Sequence, residues 1–424
     1  MTQERGPAAY ADETPSLEEL TQHLSPQIDE LAGVELLVGI PCYNSEGTVA
    51  NVVLDSGSTD DTVEIGLRAS TSGDQDLLLI PRAAPLPKHV STTLEGIRGK
   101  GNALRPLFTI ARATGARALA CFDSDLRSIR PEWVEHLLGR VLEDGFDHVT
   151  PMYLRHKHDG TITNSIAYPL TSALYGTVVR QPIGGDFGFS GTLAKFWAEH
   201  EDVWTTEVAR FGIDIWMTTS AIADGFRIAQ ARLGSKIHAP KDPGEHLGPM
   251  FRQVVGTIFR LAGPYQHRWQ AVDEITTAPS FGFPFVTGTD ALAVNVPGLI
   301  ERFRTGTVEF DDVLRSALAA ETLAAVSTIA SGTDAPDRFT FPVELWIDVV
   351  YDLLVATNAG VVAENRLLAA MIPLYFARTA SFVHEAADDD TDAAEARIDS
   401  YPRSFLERKS HLRSNWESSN TLAG

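Results

Sequence analysis

Four short apolar runs constrain this chain most. VELLVGI (34–40), NVVLD (51–55), DLLLI (76–80) and RALACFDSD (117–125) each end in a polar or glycine-containing turn. A strand covered on both faces is apolar throughout, so each run reads as a buried strand. Helical spacing lies between and around them. Leu20, Leu24, Ile28 and Leu31 predict a helix over 18–32, and KGNALRPLFTIARATG (100–115) predicts another closed by glycine. PEWVEHLLGRVLEDG (131–145) predicts a third, with proline in its first turn. Strand alternating with helix means βαβ units and a mostly parallel sheet, an α/β fold. From about 289 to 384 the pattern becomes Ala/Leu/Val/Glu with helical periodicity, broken only at SGTDAPDRFTFP (331–342). The expected organisation is therefore an N-terminal extension (1–33), an α/β domain (34–285) and an α-helical region (286–424). The last contains an acidic stretch, HEAADDDTDAAEARID (384–399), read either as a solvated helix face or as a regulatory or metal-binding patch.

Charge narrows the function classes. There are 35 Lys+Arg against 56 Asp+Glu, a formal net charge of −21. A nucleic-acid binder neutralises phosphates with lysine and arginine, so that class is excluded. Two cysteines, Cys42 and Cys121, cannot form a disulfide framework or a CxxC zinc site, and both read as small core residues. The first twenty residues carry no signal-peptide pattern. The most apolar window, 343–363, contains Glu344, Asp348 and Asp352 and reads as a buried or amphipathic helix, not an integral membrane span. A cytoplasmic protein is expected.

In open α/β sheets ligands bind beyond the carboxyl ends of the strands. Four segments fall at such junctions: IPCYN (40–44), DSGSTDDT (55–62), RGKG (98–101) and Asp123-Ser124-Asp125. Together they suit a nucleoside diphosphate. Asp55 can accept from a base or ribose hydroxyl, and Gly57 lets backbone approach closely. Lys100 supplies a positive charge, and the helix start after it favours an anion. Asp123 and Asp125 can share a hard divalent cation, Mg²⁺ or Mn²⁺. Neither a Walker A loop nor a GxGxxG fingerprint is present. Arg155, His156, Lys157 and His158 form a basic cluster in an acidic chain. It reads as a solvated face or as a site for a small anion, with Thr161, Thr163 and Asn164 as hydrogen-bonding neighbours and Arg180 and Arg252 as further candidates.

The series P-x-Y-N-x-E (Pro41, Tyr43, Asn44, Glu46), L-D-S-G-S-T-D-D-T, G-K-G (Lys100, Gly101) and F-D-S-D (Asp123, Ser124, Asp125) resembles the GT-A-fold glycosyltransferases. It is closer to the retaining group that contains mannosylglycerate synthase and glucosyl-3-phosphoglycerate synthase. Further marks follow in order: Gln181-Pro182-Ile183-Gly184-Gly185-Asp186, Phe211-Gly212-Ile213-Asp214 and Lys236-Ile237-His238. The resemblance spans roughly 34–265 and implies a nucleotide-sugar domain followed by helices. It implies that Pro41, Tyr43, Asn44, Glu46, Asp55, Gly57, Lys100, Gly101 and Ser124 face the nucleotide sugar. His238 would complete the metal site with Asp123 and Asp125, His246 being an alternative. Gly184 and Gly185 would let backbone approach the sugar or acceptor. Asp186 would bind donor hydroxyls or face the anomeric carbon, unless the segment is simply a tight turn. Asp214 would lie at the sugar or acceptor, unless it caps its helix. A homodimer is a plausible assembly. The family has a full helix between its first two strands, whereas only residues 41–51 lie there here, so that helix is expected to be cut to something like SEGTVA.

The resemblance implies transfer of glucose or mannose from a nucleotide diphosphate sugar to glycerate or 3-phosphoglycerate. Retention would follow from front-face attack, with the leaving phosphate taking the acceptor proton. Two other readings stand beside it. One is an inverting GT-A transferase acting on a polysaccharide or lipid-linked acceptor, with Asp186 or Asp214 as base. The other is a catalytically silent sugar-nucleotide-binding protein.

Overall fold

The computed structural model describes residues 16–30, 35–42, 54–55, 97, 99–126, 128–237, 248–282, 292–333 and 335–423. The chain begins with helix α1 (Leu17–Glu30), then strands β1 (Leu36–Gly39), β2 (Pro41–Cys42) and β3 (Leu54–Asp55). Helix α2 (Lys100–Thr114) leads into β4 (Ala118–Cys121), α3 (Pro131–Asp144) and β5 (His148–Leu154). A π-helical turn (Thr163–Ala167) opens α4 (Tyr168–Tyr175), followed by β6 (Thr177–Val178), β7 (Phe187–Ser190) and α5 (Gly191–Ala198). Then come α6 (Ile213–Ala223), β8 (Ile228–Ser235), α7 (Gly248–Ala262), α8 (Gln266–Trp269), β9 (Thr276–Thr277) and β10 (Ser280–Phe281). The rest is helical: α9 (Val296–Glu309), α10 (Asp311–Ala317), α11 (Ala320–Ser331), α12 (Val343–Asn358), α13 (Glu364–Glu385), α14 (Thr391–Glu407) and α15 (Lys409–Ala423). The expected helices at 18–32, 100–115 and 131–145 form with ends shifted by one or two residues. The expected strand at 76–80 and the shortened crossover after Cys42 lie outside the described residues.

The chain divides into two compact units, one of residues up to Leu126 with Phe189–Arg210, the other of Arg127–Gly188 with Phe211–Gly424. In the first, β1 and β4 pair in parallel, Leu36 opposite Ala118 and Gly39 opposite Cys121. β2 and β3 also run parallel, Pro41 opposite Leu54 and Cys42 opposite Asp55. Every residue of β4 is buried, as its unbroken apolar run requires. Helix α2 stops at Gly115, whose φ of 71° permits the left-handed turn that ends a helix. Its Phe108 ring sits at the centre of an aromatic core, with ring centres 5.7 Å from Phe189 and 5.3 Å from Trp197. Cys121 is fully buried, as expected of a core residue.

In the second unit β5, β8 and β10 pair in parallel, as do β6 and β9. The C-terminal helices do not stand apart from this sheet-bearing half. α14 packs on α4, and α12 and α13 pack on α7. Tyr168 and Val178 share one apolar cluster with Phe382, Ala386, Ile398 and Tyr401. The break predicted at 331–342 is real: α11 ends at Ser331 and α12 starts at Val343. Among the described residues one helix, α13, is long and apolar enough to cross a membrane, and 78% of that window is buried. It also carries Arg378, only 1% exposed, whose guanidinium donates to both Glu385 carboxylate oxygens, to Phe341 O and to Tyr401 Oη. Burial alone would raise the Glu385 pKa, but the paired hydrogen bonds and charge of Arg378 outweigh it and hold the carboxyl below its usual range.

Candidate active site

The site residues in the first unit follow from β4. That strand ends at Cys121, Phe122 is buried, and Asp123, Ser124 and Asp125 emerge on a turn at its carboxyl end. Lys100 is the first residue of α2, and its Nζ lies 2.7 Å from Asp123 Oδ1. The lysine side chain is 10% exposed and the aspartate 22%, so the pair is shielded yet reachable. The structure thus joins two expected elements, the G-K-G lysine and the D-x-D motif. Asp123 and Asp125 offer hard oxygen donors of the kind Mg²⁺ and Mn²⁺ take. Among the described residues no third His, Cys, Asp or Glu joins them. His238, expected as the further ligand, lies outside the described residues, as do Tyr43, Asn44, Glu46, Gly57 and His246. Pro41 is buried at β2 and Asp55 is the last residue of β3.

Gly101, expected at the nucleotide sugar, packs closely on backbone: its N–H donates to Arg210 O at 3.2 Å, and a Cβ on it would lie 1.9 Å from Val208 O. A Cβ on Gly99 would lie 2.4 Å from Ala209 O. The two glycines exist so that the start of α2 can press against the 208–210 backbone, leaving Lys100 between them to face Asp123.

The second unit builds its cluster at the ends of β5 and β8. The register runs evenly from His148 opposite Ile228 to Met152 opposite Arg232, then skips to Tyr153 opposite Gly234. This bulge carries one extra residue and uses Gly234 at φ 81°. An extra residue shifts the alternation of side chains by one and re-aims those beyond it. Lys236 follows, with its N–H on Leu154 O at 3.3 Å. Its ammonium donates to Gly184 O at 2.7 Å and pairs with Asp186 Oδ2 at 3.2 Å. Tyr153 Oη donates a short hydrogen bond to the same carboxylate oxygen. Asp186 is fully buried, and Lys236 is 6% exposed. Gln181 Nε2 donates to Tyr153 O at 2.8 Å, and Gly184 N closes a turn onto Gln181 O at 3.1 Å. Gly185 has a φ of 94°, and a Cβ on Gly184 would lie 2.1 Å from Pro151 Cγ. The segment is therefore a tight turn, and one that seats a charged aspartate beneath it.

Asp214 is buried in the first turn of α6. The N-cap is Gly212, with no side-chain bond there, so Asp214 does not serve as the cap.

In the basic loop after β5, Lys157 is not available to an anion. Lys157 Nζ donates to Ala386 O at 2.6 Å, Ala387 O at 3.1 Å and Asp389 O at 2.8 Å. All three ammonium hydrogens are thus committed to carbonyls just past α13, where a cation is favoured. Arg155 pairs with Asp159 at 3.2 Å. Thr161 shares a hydrogen bond with Tyr375 Oη, and Thr163 opens the π-helical turn. Asn164 donates to Asp159 O and accepts from Arg180. Arg180 also pairs with Glu395 at 3.0 Å. Arg252 lies part-buried on α7. The acidic stretch at 384–399 is mostly exposed or half-buried, as the solvated-face reading expects, and several of its carboxylates also make specific bonds. Glu385 holds Arg378, Asp389 holds Arg397, Glu395 holds Arg180, and Asp390 caps α14. The residues missed from sequence are Tyr153 and the charge of Lys236. A lysine in the same motif set as a buried-loop aspartate was the available signal.

No family model matches the chain. The chain is similar to the glucosyl-3-phosphoglycerate synthase of Mycolicibacterium smegmatis, 30% identical over 264 residues, covering 55% of this chain and 79% of that protein. Its similarity to the Mycobacterium tuberculosis protein of the same name is 29% over 269 residues, covering 55% and 75%. Among solved structures, that of glucosyl-3-phosphoglycerate synthase from M. tuberculosis with Mn²⁺, uridine diphosphate and phosphoglyceric acid aligns at a TM-score of 0.41, 23% identity, over 60% of this chain and 85% of that one. Mannosyl-3-phosphoglycerate synthase from Rubrobacter xylanophilus aligns at 0.40 and 19%, over 61% and 87%. With its D-x-D turn, its Lys100 and its Gly184–Asp186 loop in place, and with 30% identity over most of a curated relative, the chain belongs to the glucosyl-3-phosphoglycerate synthase family of glycosyltransferases.

Proposed function

We propose that this protein is a metal-dependent, retaining hexosyltransferase that moves glucose or mannose from a nucleoside diphosphate sugar to 3-phosphoglycerate or glycerate. The observation that carries the reading is the Lys100–Asp123 pair at the carboxyl end of β4. It sets a shielded cation beside the carboxylates that suit a divalent metal, which is what a departing diphosphate needs. The relatives' names supply the substrate class: glucosyl-3-phosphoglycerate synthases, one solved with UDP-glucose, Mn²⁺ and phosphoglyceric acid.

In this reading Asp123, Asp125 and His238 hold Mg²⁺ or Mn²⁺, which supplies Lewis acidity toward the diphosphate. Lys100 turns from Asp123 to the phosphate oxygens and stabilises the negative charge that builds there. Pro41, Tyr43, Asn44, Glu46, Asp55, Gly57 and Ser124 hold the base, ribose and phosphates. The Gly184–Asp186 loop and Asp214 meet the sugar and the acceptor oxygen. Diphosphate leaves without protonation, so no general acid is required, and it takes the acceptor's proton on the face it departs from. Lys157 is left out of the acceptor site because its donors are committed, while Arg155, Thr161, Thr163 and Asn164 remain its candidate lining. The protein is expected in the cytoplasm, and a homodimer is the expected assembly.

The test is direct. UDP-glucose or GDP-mannose is incubated with 3-phosphoglycerate or D-glycerate, with Mg²⁺ or Mn²⁺, and the product is read by proton NMR. An α-linked glycoside is expected, with loss of turnover in chelator and in Asp125→Ala. Full turnover in chelator, or a β-anomeric coupling, overturns the reading.

A further inference from the structure

We propose that Lys236, with Tyr153, is a positioning residue that fixes the Gly184–Asp186 loop for sugar transfer. The inference rests on the reading that this loop meets the transferred sugar. Its basis is a two-point clamp. One ammonium group bonds Gly184 O at 2.7 Å and Asp186 Oδ2 at 3.2 Å. These acceptors bracket Gly185, which lacks a Cβ to restrict its backbone and sits at a φ of 94°. Holding both flanks sets the orientation of the two peptide groups between them. A third bond, from Tyr153 Oη to the same Asp186 oxygen, removes the remaining freedom of the carboxylate.

The surroundings are built for rigidity. Tyr153 is 5% exposed, and its ring packs at a tilt with its centre 5.3 Å from that of Trp133, itself fully buried. The Lys236 ammonium also lies 5.2 Å from the centre of the Tyr153 ring, and the Arg155 guanidinium 5.8 Å from it. An aspartate with no exposure would be costly without a cation beside it, so its charge and its place both depend on Lys236. The bulge at Met152/Tyr153 gives the clamp its register: without the extra residue, Lys236 would fall on the opposite phase of the strand. Lys236 also stands two residues before His238, so one short segment carries both the clamp and the expected metal ligand. A displacement of about 1 Å at a reacting group can cost on the order of a hundredfold in rate.

The experiment compares Lys236→Met, Lys236→Arg, Tyr153→Phe, Asp186→Asn and the double variants with Asp186→Asn. Turnover is read with UDP-glucose, 3-phosphoglycerate and Mg²⁺. Lys236→Met is expected to lower kcat about thirty- to a hundredfold with donor KM within about threefold, and Lys236→Arg to restore most of it. Tyr153→Phe, which keeps the ring and its packing, is expected to lower kcat about five- to tenfold and serves if Lys236→Met does not fold. In an Asp186→Asn background Tyr153→Phe should not lower kcat further, because it acts through that carboxylate, and Lys236→Met should keep only the part of its loss that comes from the Gly184 O bond. A fully additive loss in either double variant, or wild-type kcat in Lys236→Met or Tyr153→Phe beside an impaired Asp186→Asn, overturns the clamp. Wild-type kcat in Asp186→Asn instead overturns the role given to the loop. Hydrogen exchange tests the clamp without turnover: amides of 184–186 should exchange faster in Lys236→Met and in Tyr153→Phe, with β5 and β8 unchanged. Unchanged exchange at 184–186 in the folded variants also overturns it.

Discussion

Gly101→Ala tests whether the G-K-G glycines serve packing. The new Cβ would lie 1.9 Å from Val208 O and 2.9 Å from two backbone carbonyl carbons. Ordinary contact begins at 3.4 Å, so the two backbones must part by about 1.5 Å. The Gly101–Arg210 hydrogen bond, already 3.2 Å, does not survive that. Overpacking costs about 1–3 kcal/mol. Losing the hydrogen bond to Arg210, an exposed residue, costs about 0.5–1.5 kcal/mol. The intrinsic preference of a helix for alanine over glycine returns up to about 1 kcal/mol. The net is roughly 0.5–4 kcal/mol against the local fold, or about two- to a thousandfold faster opening. Hydrogen exchange followed by mass spectrometry reads this in peptides covering 100–114 and 204–210. Gly139→Ala is the control of opposite sign. It lies within α3 with nothing within 4 Å of its Cβ, so it should stabilise by about 0.5–1 kcal/mol. Equal exchange in Gly101→Ala and wild type would refute the packing argument and return the glycine to a ligand-facing role.

Two groups in the last helix should give pH dependences of opposite sign. The hydrogen bond to Asp352 raises the His411 pKa, against the opposing pull of burial, so its stabilisation is present at acid pH and is lost as pH rises past the ordinary histidine range. Urea melts of wild type and His411→Gln should converge toward pH 8. Burial pushes Lys409 down to about 7 from 10.5, with Arg413 adding repulsion and Asp273 opposing, so its destabilisation should fade as pH climbs from about 7 toward 10.5. The neutral amine still has two hydrogens for Ala173 O and Val272 O, and Lys409→Met should abolish the climb. Gly184→Ala, its Cβ set 2.1 Å from Pro151 Cγ, should lower kcat at least tenfold while far-UV circular dichroism stays unchanged. Lys157→Met should loosen the start of α14, seen as faster exchange over 386–394, while donor KM stays within about twofold of wild type.

What was legible in the sequence depended on reach along the chain. Strand runs such as ALAC and helical spacing such as 100–115 are local properties, so they could be read directly. The D-x-D turn was found because a strand's end is visible in its own residues. Lys157 was misread because its carbonyl partners lie 229 to 232 residues away. Arg180 and Glu395 stand 215 residues apart, so the basic loop and the acidic stretch looked like two separate surface features. The packing of Gly101 was not legible for a different reason: a glycine's sequence context does not say whether another backbone comes close. The role of Lys236 depends on a bulge at Leu233, three residues earlier, which changes the phase of the strand leading to it.

The interleaving of the two units has a consequence for how the molecule can be divided. The chain leaves the first unit after Leu126, returns at Phe189 and leaves again after Arg210. No single cut can therefore separate the two units from each other. A fragment ending at Arg210 holds all of the first unit but also the stretch 127–188, severed from the helices with which Lys157, Thr161 and Arg180 make their bonds. A fragment starting at Phe211 holds Lys236 without Tyr153 or Asp186. Splitting this protein is thus a problem of complementation: two pieces regain the loop's geometry only by reassociating.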